Sequence, residues 1–266
     1  IDEIEHPIVR ETLRLFEIDF PLQVTTFTDI PGQTGLGSSS AFTVGLVHAL
    51  HTLRGEVVSK HQLAETAAKI EVEILKRSMG KQDHYASAFG GMNVFTFTAD
   101  EKVDVQPIKL KQQIKSKLED HLLMLYLDEK RDASEILSKQ ILSIDDKREE
   151  LRRMQLYIDP ACKLLKGQGD FEQLGLMLDE SWQLKRQLSE GISSRRIDQL
   201  YDRARESGAI GGKVLGAGGG GFILLFVPPN RQSEMKETFS DLFSLPVAFD
   251  SAGSVVTHFE HSRSEE

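Results

Sequence analysis

Three groups of residues carry the chemistry available to this 266-residue chain. The first is the stretch Pro31-Gly32-Gln33-Thr34-Gly35-Leu36-Gly37-Ser38-Ser39-Ser40. Glycine lets backbone approach a bound group closely, and serine hydroxyls can bind phosphate oxygens or join a Mg²⁺ shell. A helix that starts there offers unpaired N–H groups and the positive end of its dipole, so an anion fits without a basic side chain. The second group is a pair of carboxylates, Glu71 and Asp83. Metal-assisted phosphoryl transfer needs an oxygen ligand for the metal and a group that accepts or orients the acceptor's proton. The third is Gly216-Ala217-Gly218-Gly219-Gly220-Gly221, whose run of glycines is costly in chain entropy and demands a reason.

Each group also has a plainer reading. The Gly/Ser stretch could be a turn before a serine-capped helix, and both readings stand on the loop alone. A Walker A loop would start at Gly32, but Ser38 and Ser39 stand where Lys and Ser/Thr are required. A dinucleotide fingerprint would need glycine at Ser40. The second glycine cluster does spell G-x-G-x-x-G, yet an apolar strand follows it instead of a helix. It reads as a tight hairpin, as a backbone surface held near a ligand, or as both. Glu71 has Glu73 and Lys76 beside it, the company of a solvated helix residue. Asp83 sits in a short segment bracketed by Gly80 and by Gly90-Gly91 and is the better candidate. The eight histidines show no metal-binding spacing, and no nucleophile elbow occurs.

These groups need elements to hold them. Residues 6–17 read as a helix with Pro7 in its first turn, and the alternating LQVTTFT at 22–28 reads as a strand. Residues 41–53 form a buried helix. A second helix runs from Ser59 to Lys76, with Leu63, Ala67, Ile70 and Ile74 as its inward stripe. Residues 80–91 form a loop with a short helical stretch, and 92–98 a strand. A domain boundary falls near 108–118, and the lysines of 109–120 belong to a solvated helix face. Beyond it come a strand at 121–127, helices from 132 to about 207, strands at 213–217 and 222–227, a helix at 231–243 and a last strand at 254–259. The second half is thus an α+β sandwich with one helical face.

A net charge of −9 argues against nucleic acid or an anionic membrane surface as partner. The longest apolar run, 222–227, is too short to span a bilayer. Cys162 is the only cysteine, which fits a reducing, cytoplasmic setting.

Together the three groups resemble a known set. IPGQTGLGSSSA resembles the phosphate loop of the GHMP kinases, and KVLGAGGGGF resembles their C-terminal glycine motif. GKQDHYASAFGGMN, KRDASEIL and LDESWQLKRQLSEGIS are most similar to the sugar-kinase branch that contains D-glycero-D-manno-heptose 7-phosphate kinase. The resemblance implies a two-domain α+β GHMP kinase fold. Residues 1–112 would be an ATP-binding domain like ribosomal protein S5 domain 2, and 113–266 a ferredoxin-like domain, with ATP in the cleft between them. Pro31, Gly32, Gly35, Leu36, Gly37, Ser38, Ser39 and Ser40 would bind ATP. Ser39 and Glu71 would hold Mg²⁺, and Asp83 would act on the sugar hydroxyl. Arg131, Gly216, Ala217, Gly218 and Gly219 would line the substrate site. The implied reaction moves the γ-phosphate of ATP to a sugar, most closely the anomeric hydroxyl of heptose 7-phosphate. An L-fucose-type kinase and a non-catalytic ATP/sugar sensor are the alternatives, and a homodimer is compatible with each. Two departures stand out. The family's first motif would precede Ile1, which would leave the 22–28 strand at an exposed edge, and His84 stands where related sequences often have Gln.

Overall fold

Local signals start the helices of the N-terminal region. Pro7 opens α1 (Pro7–Leu15), where a missing N–H costs nothing, and His6 Nδ1 accepts a hydrogen bond from the Val9 N–H. Helix α2 (Ser38–Leu53) follows Gly37 directly. A capping box opens α3 (Lys60–Ala68): the Gln62 N–H donates to Ser59 Oγ, and the Ser59 N–H donates to Gln62 Oε1. The chain then widens into a π-helical turn, Lys69–Ile74, before α4 (Gln82–Phe89). The structure is a computed structural model that describes residues 1–32, 34–129 and 133–260.

The chain forms two compact units. The first comprises Ile1–Asp29, Gly37–Gly91 and the stretch from Asp250 onward; the second comprises Ile30–Leu36 and Met92–Phe249. In the first unit, α2, α3 and α4 pack on one another. Val44, Val47, Leu50, Leu63, Ala67, Ile70, Tyr85 and Ala88 are buried there. Each fully buried Val, Leu or Ile contributes about 1.5–3 kcal/mol of transfer free energy. The expected inward stripe holds through Ile70 but fails at Ile74, which is exposed, while Glu71 is fully buried. The π turn is the cause. Leu75 N–H bonds to Ile70 O, five residues back, so the residue four positions on no longer lies over the first.

Two expected strands are absent. Neither 22–28 nor 254–259 enters a sheet among the described residues. The 22–28 stretch thus has no strand partner among those residues, and its Phe27 is 94% exposed. Alternation says which faces of an extended chain differ; it does not supply the neighbour a ladder requires.

The second unit begins with a hairpin of β1 (Asn93–Phe97) and β2 (Val103–Pro107). Then follow α5 (Gln112–His121), β3 (Leu122–Tyr126), α6 (Ala133–Leu142), α7 (Arg148–Gln155), α8 (Ile158–Leu165), α9 (Gln173–Lys185) and α10 (Arg195–Glu206). The chain ends its sheet with β4 (Gly211–Val214), β5 (Phe222–Phe226), α11 (Gln232–Thr238) and β6 (Ser244–Pro246). The sheet is antiparallel in the order β4-β5-β3-β6. With helices after β3 and between β5 and β6, this is the β-α-β-β-α-β arrangement of ferredoxin-like domains.

Alternate residues of β3 and β5 serve two cores. Leu123, Leu125, Ile223 and Leu225 join Trp182, Ile197 and Tyr201, whereas Leu122 and Phe226 join Leu118, Leu164, Leu165 and Leu174. Helices feed both clusters, so the sheet is not covered on one face only, as the sequence pattern suggests. The continuous apolar runs of both strands follow from this double burial. Met92 and Ile108 pack against the second cluster, which is why the β1–β2 hairpin groups with the sheet and the units part at Gly91–Met92, ahead of 108–118. Helix α9 sits directly on the sheet: a Cβ on Gly175 would meet Ile210 and Phe226 at 2.7 Å.

Candidate functional site

In the first unit the site is built on the start of α2. Gly37 precedes the helix in a left-handed conformation, φ 69°, and as the N-cap residue it brings no side chain of its own to the first turn. No acidic residue lies in that turn either. Its N–H groups and dipole therefore favour an anion without competition from a neighbouring carboxylate on the helix. Asp83 lies close by: a Cβ on Gly37 would sit 3.4 Å from Asp83 Cβ, Cγ and Oδ2. Asp83 lies in the glycine-bracketed segment 80–91, on its helical stretch rather than in open loop. It stands in the first turn of α4, where the helix dipole favours its charge.

Glu71 is the hub of the site. Ser39 Oγ donates to Glu71 Oε2 at 2.5 Å, and Thr43 Oγ1 donates to Oε1 at 2.8 Å. Arg77 Nη1 lies 2.7 Å from Oε2 and 2.8 Å from Ser39 Oγ. His84 Nε2 reaches Oε1 at 3.1 Å. Glu71 is thus no solvated helix residue; its side chain is 0% exposed, as is that of His84. Burial pushes the Glu71 carboxyl up, but hydrogen bonds from His84, Ser39 and Thr43 more than offset it and hold the group at about 2. The ion is kept because it is paired and fully hydrogen-bonded.

The three serines differ. Ser39 faces Glu71 and Ser38 is half-buried. Ser40 is 1% exposed and its Oγ has no hydrogen-bond partner among the described residues.

The second unit brings the two glycine stretches together. A Cβ on Gly216 would lie 2.6 Å from Gly35 Cα, and one on Gly35 would lie 2.8 Å from Leu215 O. The Phe222 N–H donates to Thr34 O. The 215–221 connection joins β4 to β5, with Leu215 N–H bonded to Phe222 O, so it is a hairpin but a wide one. Its glycines are required by protein backbone at close range. Gly219 spends its N–H on Ile192 O, while Gly216 is exposed, Ala217 and Gly218 are half-buried, and Lys185 Nζ donates to Gly216 O. Pro31 and Gly32 are exposed and Leu36 is half-buried. Arg131 lies outside the described residues.

Among the predicted residues, then, Gly37, Ser39, Glu71 and Asp83 cluster in one unit, and Gly35 meets Gly216 in the other. Sequence reasoning misses Thr43, Arg77 and His84 as partners of Glu71. Thr43 follows Ser39 by one helical turn, and His84 adjoins Asp83, so both are open to inference. Arg77 carries no local signal. Among the described residues, no cluster of three His, Cys, Asp or Glu could hold a metal, and no helix is long and apolar enough to cross a membrane.

The chain matches known proteins over the same segments. The GHMP kinases N terminal domain matches residues 7–91 and the GHMP kinases C terminal domain matches 160–245, together more than half of the chain. It is 32% identical over 209 residues to D-glycero-alpha-D-manno-heptose 7-phosphate kinase of Campylobacter jejuni, covering 78% of this chain and 61% of that one. It is 29% identical to mevalonate kinase of Pyrococcus furiosus, covering 80% and 62%. The chain thus spans about three-fifths of the length of these curated relatives. A crystal structure of a D-glycero-D-manno-heptose 1-phosphate kinase from Bacteriodes thetaiotaomicron superposes with a TM-score of 0.72 at 26% identity, covering 96% of this chain and 74% of that chain. Fold, motifs and matched segments agree: the chain belongs to the GHMP kinase family.

Proposed function

We propose that the protein is an ATP- and Mg²⁺-dependent sugar kinase that phosphorylates the anomeric hydroxyl of D-glycero-D-manno-heptose 7-phosphate. The observation that carries this reading is the start of α2, whose own first turn holds no acidic residue, with the Ser39–Glu71 pair and Asp83 beside it. In this reading residues 1–112 are the ATP-binding domain and 113–266 the ferredoxin-like domain. The backbone from Gly35 to Ser40, with Pro31, Gly32 and the Ser38 hydroxyl, receives the ATP phosphates. Gly216, Ala217, Gly218, Gly219 and Arg131 line the acceptor side. Asp83 accepts or orients the sugar hydroxyl's proton, and no covalent enzyme intermediate is needed.

Ser39 Oγ and Glu71 are hard oxygen donors of the kind Mg²⁺ takes, and at 2.5 Å apart they are close enough to share one ion. Mg²⁺ would neutralise charge on the transferring phosphoryl group. Similarity to named heptose phosphate kinases supports the substrate class, and the single cysteine supports a cytoplasmic setting.

The test is ADP release by the protein with heptose 7-phosphate, with free heptose and with L-fucose. Turnover on the phosphorylated sugar alone is expected. Turnover on free sugars would favour the L-fucose-type kinase. ATP binding without turnover on any sugar would favour a sensor.

A further inference from the structure

We propose that Arg77 competes with the metal: its guanidinium holds the Ser39–Glu71 pair, and a divalent cation takes that pair only by displacing it. The inference rests on the reading that Ser39 and Glu71 are the metal's ligands. Arg77 Nη1 donates to both, at 2.8 Å from Ser39 Oγ and 2.7 Å from Glu71 Oε2. Glu71 has no acceptor position to spare. A carboxylate offers about four lone-pair sites. Ser39 and Arg77 take Oε2, while Thr43 and His84 take Oε1.

The four donors are not equally fixed. Thr43 and His84 are fully buried and ride on α2 and α4, and Ser39 lies in the first turn of α2. Arg77 follows the π turn and its side chain is 36% exposed, against 0% for Glu71. It is the donor that can withdraw into water at least cost. A guanidinium and a divalent cation repel each other, so the same two oxygens cannot hold both at contact distance.

The test uses the 266-residue chain with Mn²⁺ as probe. Calorimetry should show Arg77→Met and Arg77→Ala binding Mn²⁺ about tenfold to a hundredfold more tightly than the parent, the range expected when a competing charge-assisted hydrogen bond is lost. Added guanidinium ion should weaken binding to Arg77→Ala, and equal potassium should not. Guanidinium NMR should show the Arg77 signal, identified by its loss in Arg77→Met, shifting when the parent is saturated with diamagnetic Mg²⁺. Circular dichroism checks that each variant is folded, and Arg77→Lys, which keeps the charge, should bind Mn²⁺ nearer the parent's affinity. Equal Mn²⁺ affinity in parent and Arg77 variants, with binding lost in Glu71→Gln, would overturn the competition and leave the ligand reading intact. Undiminished binding in Glu71→Gln, or no binding by any variant, would overturn the ligand reading and this inference with it.

Discussion

Asp83 holds its carboxyl group about one methyl group's reach from Gly37, the residue from which α2 starts: a Cβ on Gly37 would touch Asp83 Oδ2 at 3.4 Å. The carboxylate proposed to handle a proton is therefore adjacent to the helix start proposed to hold phosphate, although the two come from different elements. That proximity is what in-line transfer requires, because reacting groups must be held at near-contact distance.

Asp83→Asn keeps the shape and removes the base. In the proposed reaction, turnover should fall by about 10²-fold or more while nucleotide binding persists. Steady-state kinetics alongside calorimetric ATP titration separates the two effects, and unchanged turnover would remove Asp83 from the mechanism.

Gly37→Ala tests the helix start. The contact with Asp83 is an ordinary van der Waals distance, so the cost comes from the left-handed backbone, about 1–2 kcal/mol. Urea denaturation should show a loss of that size. A loss near zero would mean that the turn relaxes freely.

Gly216→Ala differs in kind, because its Cβ would collide with backbone at Gly35 Cα. Either Gly216→Ala or Gly35→Ala should destabilise by about 2–3 kcal/mol. The double variant should cost less than the sum, since the first change already opens the contact. Strict additivity in a double-mutant cycle would disprove the shared contact.

Acid should weaken the fold through Glu71. Its folded pKa of about 2 lies below the ordinary 4.5, so the unfolded chain binds the proton more readily. The contribution is present above pH 4.5 and is lost as pH falls toward about 2. Its size is on the order of 3 kcal/mol, because each tenfold difference in proton affinity between the folded and unfolded chain is worth about 1.4 kcal/mol. Glu71→Gln should flatten the stability profile across that window relative to the parent, and parallel profiles would refute the assignment.

Much of this is legible in the residues. The buried run at 41–53, the helix opened by Ser59 and the apolar strands at 122–126 and 222–226 all announce themselves by composition and period. Ser39 and Glu71, paired by the family resemblance, do meet. What stays hidden depends on non-local facts. The stretch at 22–28 carries a strand's pattern, but pairing is decided by a partner elsewhere. Glu71 looks solvated because its sequence neighbours are charged, whereas a π turn and distant donors from α2 and α4 hold it inside. Arg77 is invisible because nothing near it in sequence shows that its guanidinium ends on Ser39.

The contact between Gly35 and Gly216 has one more consequence. The two glycine stretches read as independent signatures, nearly two hundred residues apart. In space they are the two halves of one joint, and neither half can gain a side chain without intruding on the other. A substitution at either position is therefore limited by the backbone of the other, so the two stretches are sterically one feature rather than two.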